Sequence, residues 1–69
     1  MTIEWKDGFA IAVRTDGRET VISANREGML SLARIFAALA EGRPGDHVHL
    51  DSGNSLEDGS AELIVERMA

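Results

Sequence analysis

The sequence predicts a single α+β domain with two layers, in which one helix covers one face of an antiparallel or mixed five-stranded sheet. Three observations predict this fold. Two Asp-Gly pairs near the N-terminus indicate β-hairpins, an amphipathic segment in the middle has helical spacing, and two apolar segments near the C-terminus are typical of strands. The predicted order is therefore β-β-β-α-β-β, and the domain is expected to span residues 1–69.

The first hairpin is predicted in the stretch "WKDGF", where two loops are possible. A two-residue loop at Asp7-Gly8 would place Trp5 beside Ala10. A three-residue loop, with Gly8 in the left-handed conformation, places Trp5 beside Phe9 instead. The three-residue loop keeps one face of the hairpin apolar, so we favour it.

The second hairpin is predicted in "RTDGRE", where Asp16-Gly17 is suited to a two-residue type I′ turn. This turn fixes the register of the two strands. Arg14 is then expected opposite Glu19, and such a pair of opposite charges across two strands supports the register.

The helix is predicted in "ANREGMLSLARIFAALAEG", with Asn25 as its N-cap and Gly42 just past its end. Pro44 prevents any continuation. Gly28 is unfavourable within a helix, and close packing against a strand is one reason for a glycine at this position. The stripe of helical spacing expected to face the core comprises Met29, Leu32, Ala33, Phe36, Leu39 and Ala40.

The last two strands are predicted at His47–Leu50, which alternates polar and apolar residues, and at Ala61–Met68. The second of these contains the apolar run 63–65, which favours a position in the interior of the sheet. Leu56 is the expected anchor of the loop between them. The core face of the sheet is predicted to comprise Ile3, Trp5, Phe9, Ile11, Val13, Ile22, Val48, Leu50, Leu63 and Val65.

The charge of the chain is unevenly distributed. Residues 1–45 contain six acidic and six basic residues, whereas residues 46–69 contain six acidic residues and one arginine, so the net charge of −5 lies in the last third. Phosphate backbones repel such a chain, so we expect no direct binding to nucleic acid. An acidic surface of this kind either maintains solubility or attracts a basic protein partner.

The C-terminal third contains candidate groups for a metal site and for acid–base catalysis. His47, His49 and Asp51 alternate along one strand as metal ligands can, but no later histidine or cysteine completes the set. Glu57, Asp58 and Glu62 could pair as carboxylates for acid–base catalysis, but raising the pKa of a carboxyl group requires burial. There is no nucleophile elbow, P-loop or dinucleotide-binding motif. We therefore expect neither a metal nor a cofactor, and no enzymatic activity.

The location expected from the sequence is the cytoplasm. The chain contains no cysteine, which fits a reducing compartment. Its first residues lack the basic start and apolar stretch of a signal peptide, and no run approaches the length of a membrane span.

The stretches "ANREGMLSLARIFAALAEG" and "HVHLDSGNSLEDGSAELIVER" resemble the immunity protein 32 family of bacterial polymorphic toxin systems. The resemblance covers Ala24 to Arg67. Its most specific parts are the segments 49–51, 54–56 and 59–60, followed by 62–64.

The resemblance implies a small binding protein that neutralises a cognate toxin stoichiometrically, and nucleases with basic clefts are one common class of such toxin. With the charge distribution, it predicts a basic toxin domain as partner. The alternative is a homodimeric structural or regulatory module that uses the uncovered sheet face for self-association. The candidate partner-binding residues are His47, His49, Asp51, Glu57, Asp58, Glu62 and Glu66.

Overall fold

The computed structural model describes residues 3–69 and has an α+β fold, as predicted. Within these residues the order is β-β-α-β-β, with two separate two-stranded antiparallel sheets, β1–β2 and β3–β4. The prediction of one five-stranded sheet was therefore wrong. The elements are β1 (Ile11–Asp16), β2 (Glu19–Ala24), α1 (Arg26–Ala40), β3 (His47–Leu50) and β4 (Leu63–Glu66).

The segment before β1 forms a turn rather than a strand. The Phe9 amide donates to the Lys6 carbonyl (3.1 Å), and Gly8 has a φ of +80°. The rings of Trp5 and Phe9 stack with their centroids 4.5 Å apart, which confirms their predicted contact. The Lys6 amide donates to the hydroxyl of Ser31 in α1 (2.9 Å). A backbone group bonded to the helix is not available for a strand ladder, which accounts for the missing first strand.

The β1–β2 hairpin confirms the predicted faces but not the predicted register. Asp16 pairs with Glu19, and Val13 pairs with Ile22, so the loop consists of Gly17 and Arg18. Gly17 has a φ of +63° and Arg18, like every other non-glycine residue from 3 to 69, has no positive φ, which is the pattern of a type II′ turn with glycine in the first central position. The register is thus shifted by two residues. An even shift leaves every side chain on its expected face.

Residues 57–61 run along the other edge of β1. The amides of Glu57 and Ala61 donate to the carbonyls of Ile11 and Val13, at 2.9 and 2.8 Å. The Val13 amide, however, donates to the hydroxyl of Ser60 (3.1 Å). The last backbone bond to β1 is made at Ala61, and β4 pairs with β3 alone. The predicted interior position of the last strand was therefore wrong.

The beginning of α1 is fixed by Asn25, as predicted. Its Oδ1 accepts from the amides of Gly28 (2.8 Å) and Ala10 (3.0 Å), and its Nδ2 donates to the Gly8 carbonyl (2.9 Å). One side chain therefore caps the helix and ties it to the N-terminal turn. This second role also removes the Ala10 and Gly8 groups from any additional ladder.

The buried face of α1 is rotated from the predicted one. Leu32 and Leu39 are buried as expected, but Met29 and Phe36 are 50% and 47% exposed. At 3.6 residues per turn, the difference is a rotation of roughly 90°. The residues of α1 that are buried are Gly28, Ser31, Leu32, Ile35 and Leu39.

Gly28 explains this rotation. A Cβ at position 28 would lie 2.5 Å from the Ala10 carbonyl oxygen and 2.9 Å from Cγ1 of Ile11. Only glycine allows this close approach, so the helix must turn position 28 towards the strands. Met29 is consequently directed away from them, and Phe36 lies on the same side of α1 because it follows two turns later.

The core contains every sheet residue predicted for it. Ile11, Val13, Val48 and Leu50 are buried, as is the loop anchor Leu56. The remaining predicted members pack against this cluster while partly exposed, namely Ile3, Trp5, Phe9, Ile22, Leu63 and Val65.

Candidate functional site

The β3–β4 hairpin begins at a turn of residues 43–46. The Asp46 amide donates to the Arg43 carbonyl (3.0 Å), and Gly45 has a φ of +92° behind Pro44, as in a type II turn. The Gly45 amide donates to the Arg67 carbonyl (2.9 Å), and the Arg67 amide donates to the Asp46 carbonyl (2.8 Å). Gly45 and Asp46 thus lie opposite the single residue Arg67, which is a β-bulge with glycine in its first position. The bulge sets the faces of β3.

The outer face of this hairpin brings four of the predicted residues together. His47 lies opposite Glu66, and His49 lies opposite Ile64. Nδ1 of His49 is 3.9 Å from Oε1 of Glu62, and the two histidine rings meet edge to face with centroids 5.1 Å apart. Ile64 is 52% exposed in the middle of these polar side chains. We define the acidic face as His47, His49, Glu62, Ile64 and Glu66.

The side chain and the carbonyl of Asp51 are hydrogen-bonded within the loop that follows β3. Its Oδ1 accepts from the Gly53 amide (2.8 Å), and its carbonyl accepts from the amides of Asn54, Ser55 and Leu56 at 2.9–3.2 Å. Asn54 completes the loop, since its Oδ1 accepts from the Asp51 amide (3.1 Å). Asp51 is half-buried and holds the loop through which Leu56 enters the core.

Glu57 and Asp58 lie in the segment beside β1 rather than on the β3–β4 hairpin. Both are exposed, in a turn closed by a bond from the Ser60 amide to the Glu57 carbonyl (3.1 Å). Glu57 borders a shallow apolar depression that includes Ala10 and Ala12. These two carboxylates therefore form a second acidic region, which lies on a different segment of the chain from the acidic face.

No metal-binding cluster is present in the described part of the chain, where no three His, Cys, Asp or Glu side chains are arranged to hold an ion. The reason is visible in the three candidates. Nδ1 of His47 lies 3.0 Å from the Gly45 carbonyl, His49 faces Glu62, and Asp51 bonds within its own loop.

An apolar groove beside β4 was not predicted. It lies between α1 and the C-terminal segment, and Phe36, Ala40, Val65 and Met68 provide its apolar lining. Met68 is 81% exposed. A sequence signal did exist: a helix with apolar residues on two adjacent stripes cannot bury both against one small core, and Gly28 decides which stripe is buried.

Residues 19–68, from the start of β2 to beyond β4, match the family model described as Immunity protein 32. The chain belongs to the immunity protein 32 family. The match includes the whole helix and the acidic face, and it confirms the resemblance seen in the sequence. No curated protein and no solved structure matches the chain.

Membership of an immunity protein family implies an inhibitor rather than an enzyme, and it implies a toxin protein as partner. Within residues 3–69, the helix is neither long nor apolar enough to cross a membrane.

Proposed function

We propose that this member of the immunity protein 32 family neutralises a cognate bacterial toxin by stoichiometric binding in the cytoplasm, with the acidic C-terminal side as the contact surface. The observation that carries the proposal is the family match over residues 19–68. A protein of this kind needs a recognition surface but no catalytic group, and the exposed side chains of the β3–β4 hairpin support the acidic face as that surface.

The composition of the acidic face suits recognition of a protein. Ile64 supplies an exposed apolar centre, and histidines and glutamates surround it. An apolar centre with a polar rim is the common arrangement of protein–protein interfaces. The partner that best fits this rim carries lysine or arginine around an apolar contact.

The net charge supports a basic toxin. Residues 46–69 contain all of the −5 net charge, and four of their six acidic residues lie in two exposed regions: Glu62 and Glu66 on the acidic face, and the pair Glu57 and Asp58. Such a field accelerates the encounter with a basic protein and rejects acidic ones. A nuclease toxin fits this requirement, because its substrate cleft must attract phosphate and is therefore positively charged.

Co-expression tests this function. The cognate toxin domain should arrest growth of a host cell when produced alone, and growth should recover when the chain is produced with it. The double variant Glu62→Lys with Glu66→Lys should lose most of this protection. The matched control is Asp16→Lys with Glu19→Lys, which makes the same charge change at the exposed β1–β2 turn. Equal protection by both variants would contradict the role of the acidic face.

Self-association is the second candidate function, and exposed apolar side chains favour it. Phe36 and Met68 border one open groove, and Ile64 lies uncovered on the acidic face. A homodimer that buries these residues would be detected by sedimentation of the purified chain. A monomer at micromolar concentration would contradict this alternative.

A further inference from the structure

The edge of β4 that faces away from β3 has unused hydrogen-bonding groups. The Arg67 amide donates to the Asp46 carbonyl, so these residues form a hydrogen-bonded pair in the antiparallel register. Such pairs alternate with pairs whose backbone groups point outward. Ile64 and Glu66 are therefore residues whose amide and carbonyl groups point away from β3.

No other part of residues 3–69 satisfies these groups. The segment beside β1 makes its last backbone bond at Ala61, and neither Ile64 nor Glu66 forms a backbone hydrogen bond outside the β3–β4 pair. β1 and β4 belong to different sheets. Beyond Ala61 no backbone bond joins the segment to β1, and the edge of β4 is open within residues 3–69.

The apolar groove adjoins the same strand. It is lined by Phe36 and Ala40 of α1, by Val65 and by Met68, while β3 contributes nothing to it. The groove therefore adjoins β4 and the residues that follow it, 65–68, rather than β3. An extended chain placed along this edge would direct every second side chain towards the groove and the others towards the acidic face.

We propose that an extended segment of the toxin adds to the edge of β4 as a further strand and pairs with the backbone of Ile64 and Glu66. This inference rests on the proposed function, since the toxin supplies the strand. The added segment alternates apolar residues, which contact Phe36 and Val65, with lysine or arginine, which lie beside Glu62 and Glu66. Strand addition of this kind derives affinity from main-chain bonds and specificity from alternate side chains.

The charges along the edge disfavour a second copy of this chain as the added strand. If two β4 edges paired antiparallel about Ile64, Glu62 of each copy would lie opposite Glu66 of the other. Like charges directly opposite one another destabilise a strand pair. A basic segment meets the same two glutamates with opposite charge, so the edge selects a basic partner.

The edge of β3 is less available. Its outward-pointing residues are His47 and His49, and the His49 carbonyl already accepts from Nδ2 of Asn54 (3.2 Å). The loop after β3 thus covers part of that edge. On β4, Ile64 and Glu66 have no such cover within the described residues.

Amide hydrogen exchange with a peptide probe tests the proposal. The probe is the blocked peptide Lys-Val-Lys-Val-Lys-Val, titrated into the isotopically labelled chain. Exchange at the amides of Ile64 and Glu66 should slow by about tenfold or more at saturation, because both become bonded. The amide of Thr20, which points outward from β2 in the same way, should be unchanged. A peptide that slows none of these amides, or all of them equally, overturns strand addition at β4.

A proline variant on β4 and a matched control on β2 separate backbone pairing from charge attraction, because neither substitution changes the charge of the chain. Ile64→Pro removes an amide that β3 does not use, and an edge strand tolerates proline at such a position. It should weaken peptide binding by roughly tenfold, as expected for the loss of one hydrogen bond. The matched control Thr20→Pro makes the same change on the edge of β2 and should bind normally. Equal binding by both variants overturns the proposal.

A further variant covers the case in which Ile64→Pro does not fold. Chemical synthesis of the chain with an ester in place of the Glu66 amide deletes one donor and retains the side chain. Its peptide affinity should fall by a similar factor, and circular dichroism verifies its fold. An ester variant that is folded and binds the peptide as tightly as the unmodified chain overturns strand addition.

The toxin domain itself separates this inference from the proposed function. Protection of the Ile64 and Glu66 amides in the toxin complex supports both. A complex in which these amides exchange as fast as in the free chain overturns strand addition and leaves the immunity function intact. A toxin that does not bind, while the peptide still protects the edge, overturns the proposed function and the toxin as the source of the strand, and shows only that the edge of β4 accepts a basic strand.

Discussion

Ile35 and Phe36 are neighbours in α1, and truncating the smaller Ile35 should destabilise the fold more than truncating the larger Phe36. Ile35 is 2% exposed and lies in the core, whereas Phe36 is 47% exposed beside the groove. Replacing a buried isoleucine by alanine costs about 2–5 kcal/mol, through lost burial and the remaining cavity. A fully buried phenylalanine costs about 3–5 kcal/mol, and Phe36 buries about half of itself, so Phe36→Ala should cost about 2 kcal/mol.

Chemical denaturation followed by circular dichroism measures the difference. A domain of this size obtains only about 3–5 kcal/mol from its core, so Ile35→Ala should be largely unfolded without a partner. Phe36→Ala should retain a cooperative transition with an unchanged slope against denaturant and a lower midpoint. If Phe36→Ala unfolds the chain while Ile35→Ala melts close to the unmodified protein, the orientation of the helix described here is wrong.

The remaining predictions concern packing, capping, electrostatics and metal binding. Gly28→Ala gains helix propensity but collides with β1, so a net loss of about 1–2 kcal/mol is expected in denaturant titrations, and a stabilised variant would contradict the close approach. Asn25→Ala should cost about 2 kcal/mol in the same assay, at the upper end for an N-cap, because the side chain also holds the N-terminal turn. A loss below that of an ordinary cap would show that the turn does not depend on it. Glu57→Lys with Asp58→Lys should slow association with the toxin several-fold at low salt and less at high salt in stopped-flow experiments, while stability changes by less than about 0.5 kcal/mol. An association rate that is unchanged at every salt concentration would exclude steering by this pair. Excess zinc or chelator should leave the melting temperature unchanged, whereas stoichiometric zinc in the purified protein would show a metal site that includes His49.

Much of the fold was predictable because local signals agreed with the final structure. Asn25 caps the helix, β3 has the predicted bounds, and Leu56 is buried as the loop anchor. Alternation in β3 also placed both histidines on the exposed face. These features depend on short-range chemistry and on apolar periodicity, which the sequence displays directly.

The errors arise from side chains that bond to a distant backbone. The Lys6 amide donates to Ser31 and the Val13 amide donates to Ser60, where a continuous sheet would use backbone acceptors. Neither bond leaves a trace in hydrophobic periodicity. The prediction of the buried helix face was wrong for a related reason. The apolar pattern gave weight to the large Phe36 and none to Gly28, although the close approach of Gly28 to the backbone of Ala10 sets the orientation of the helix.

The candidate site was predictable in composition but not in arrangement. The acidic third of the chain was evident from the charges, and four of the seven predicted residues do meet on one hairpin. Asp51, in contrast, is engaged with Gly53 and Asn54, which depends on the conformation of the loop. The open edge of β4 was unforeseen because its apolar run indicated a strand with neighbours on both sides.

Titration of toxin activity with the purified chain tests the central claim most directly. The cognate toxin domain is held at a fixed concentration well above the dissociation constant, and its activity is followed as the chain is added. Stoichiometric neutralisation predicts a linear fall to zero at one equivalent, with activity restored when the complex is separated. Undiminished activity at a large molar excess of the chain, or complete and permanent inactivation by a small fraction of an equivalent, would contradict it.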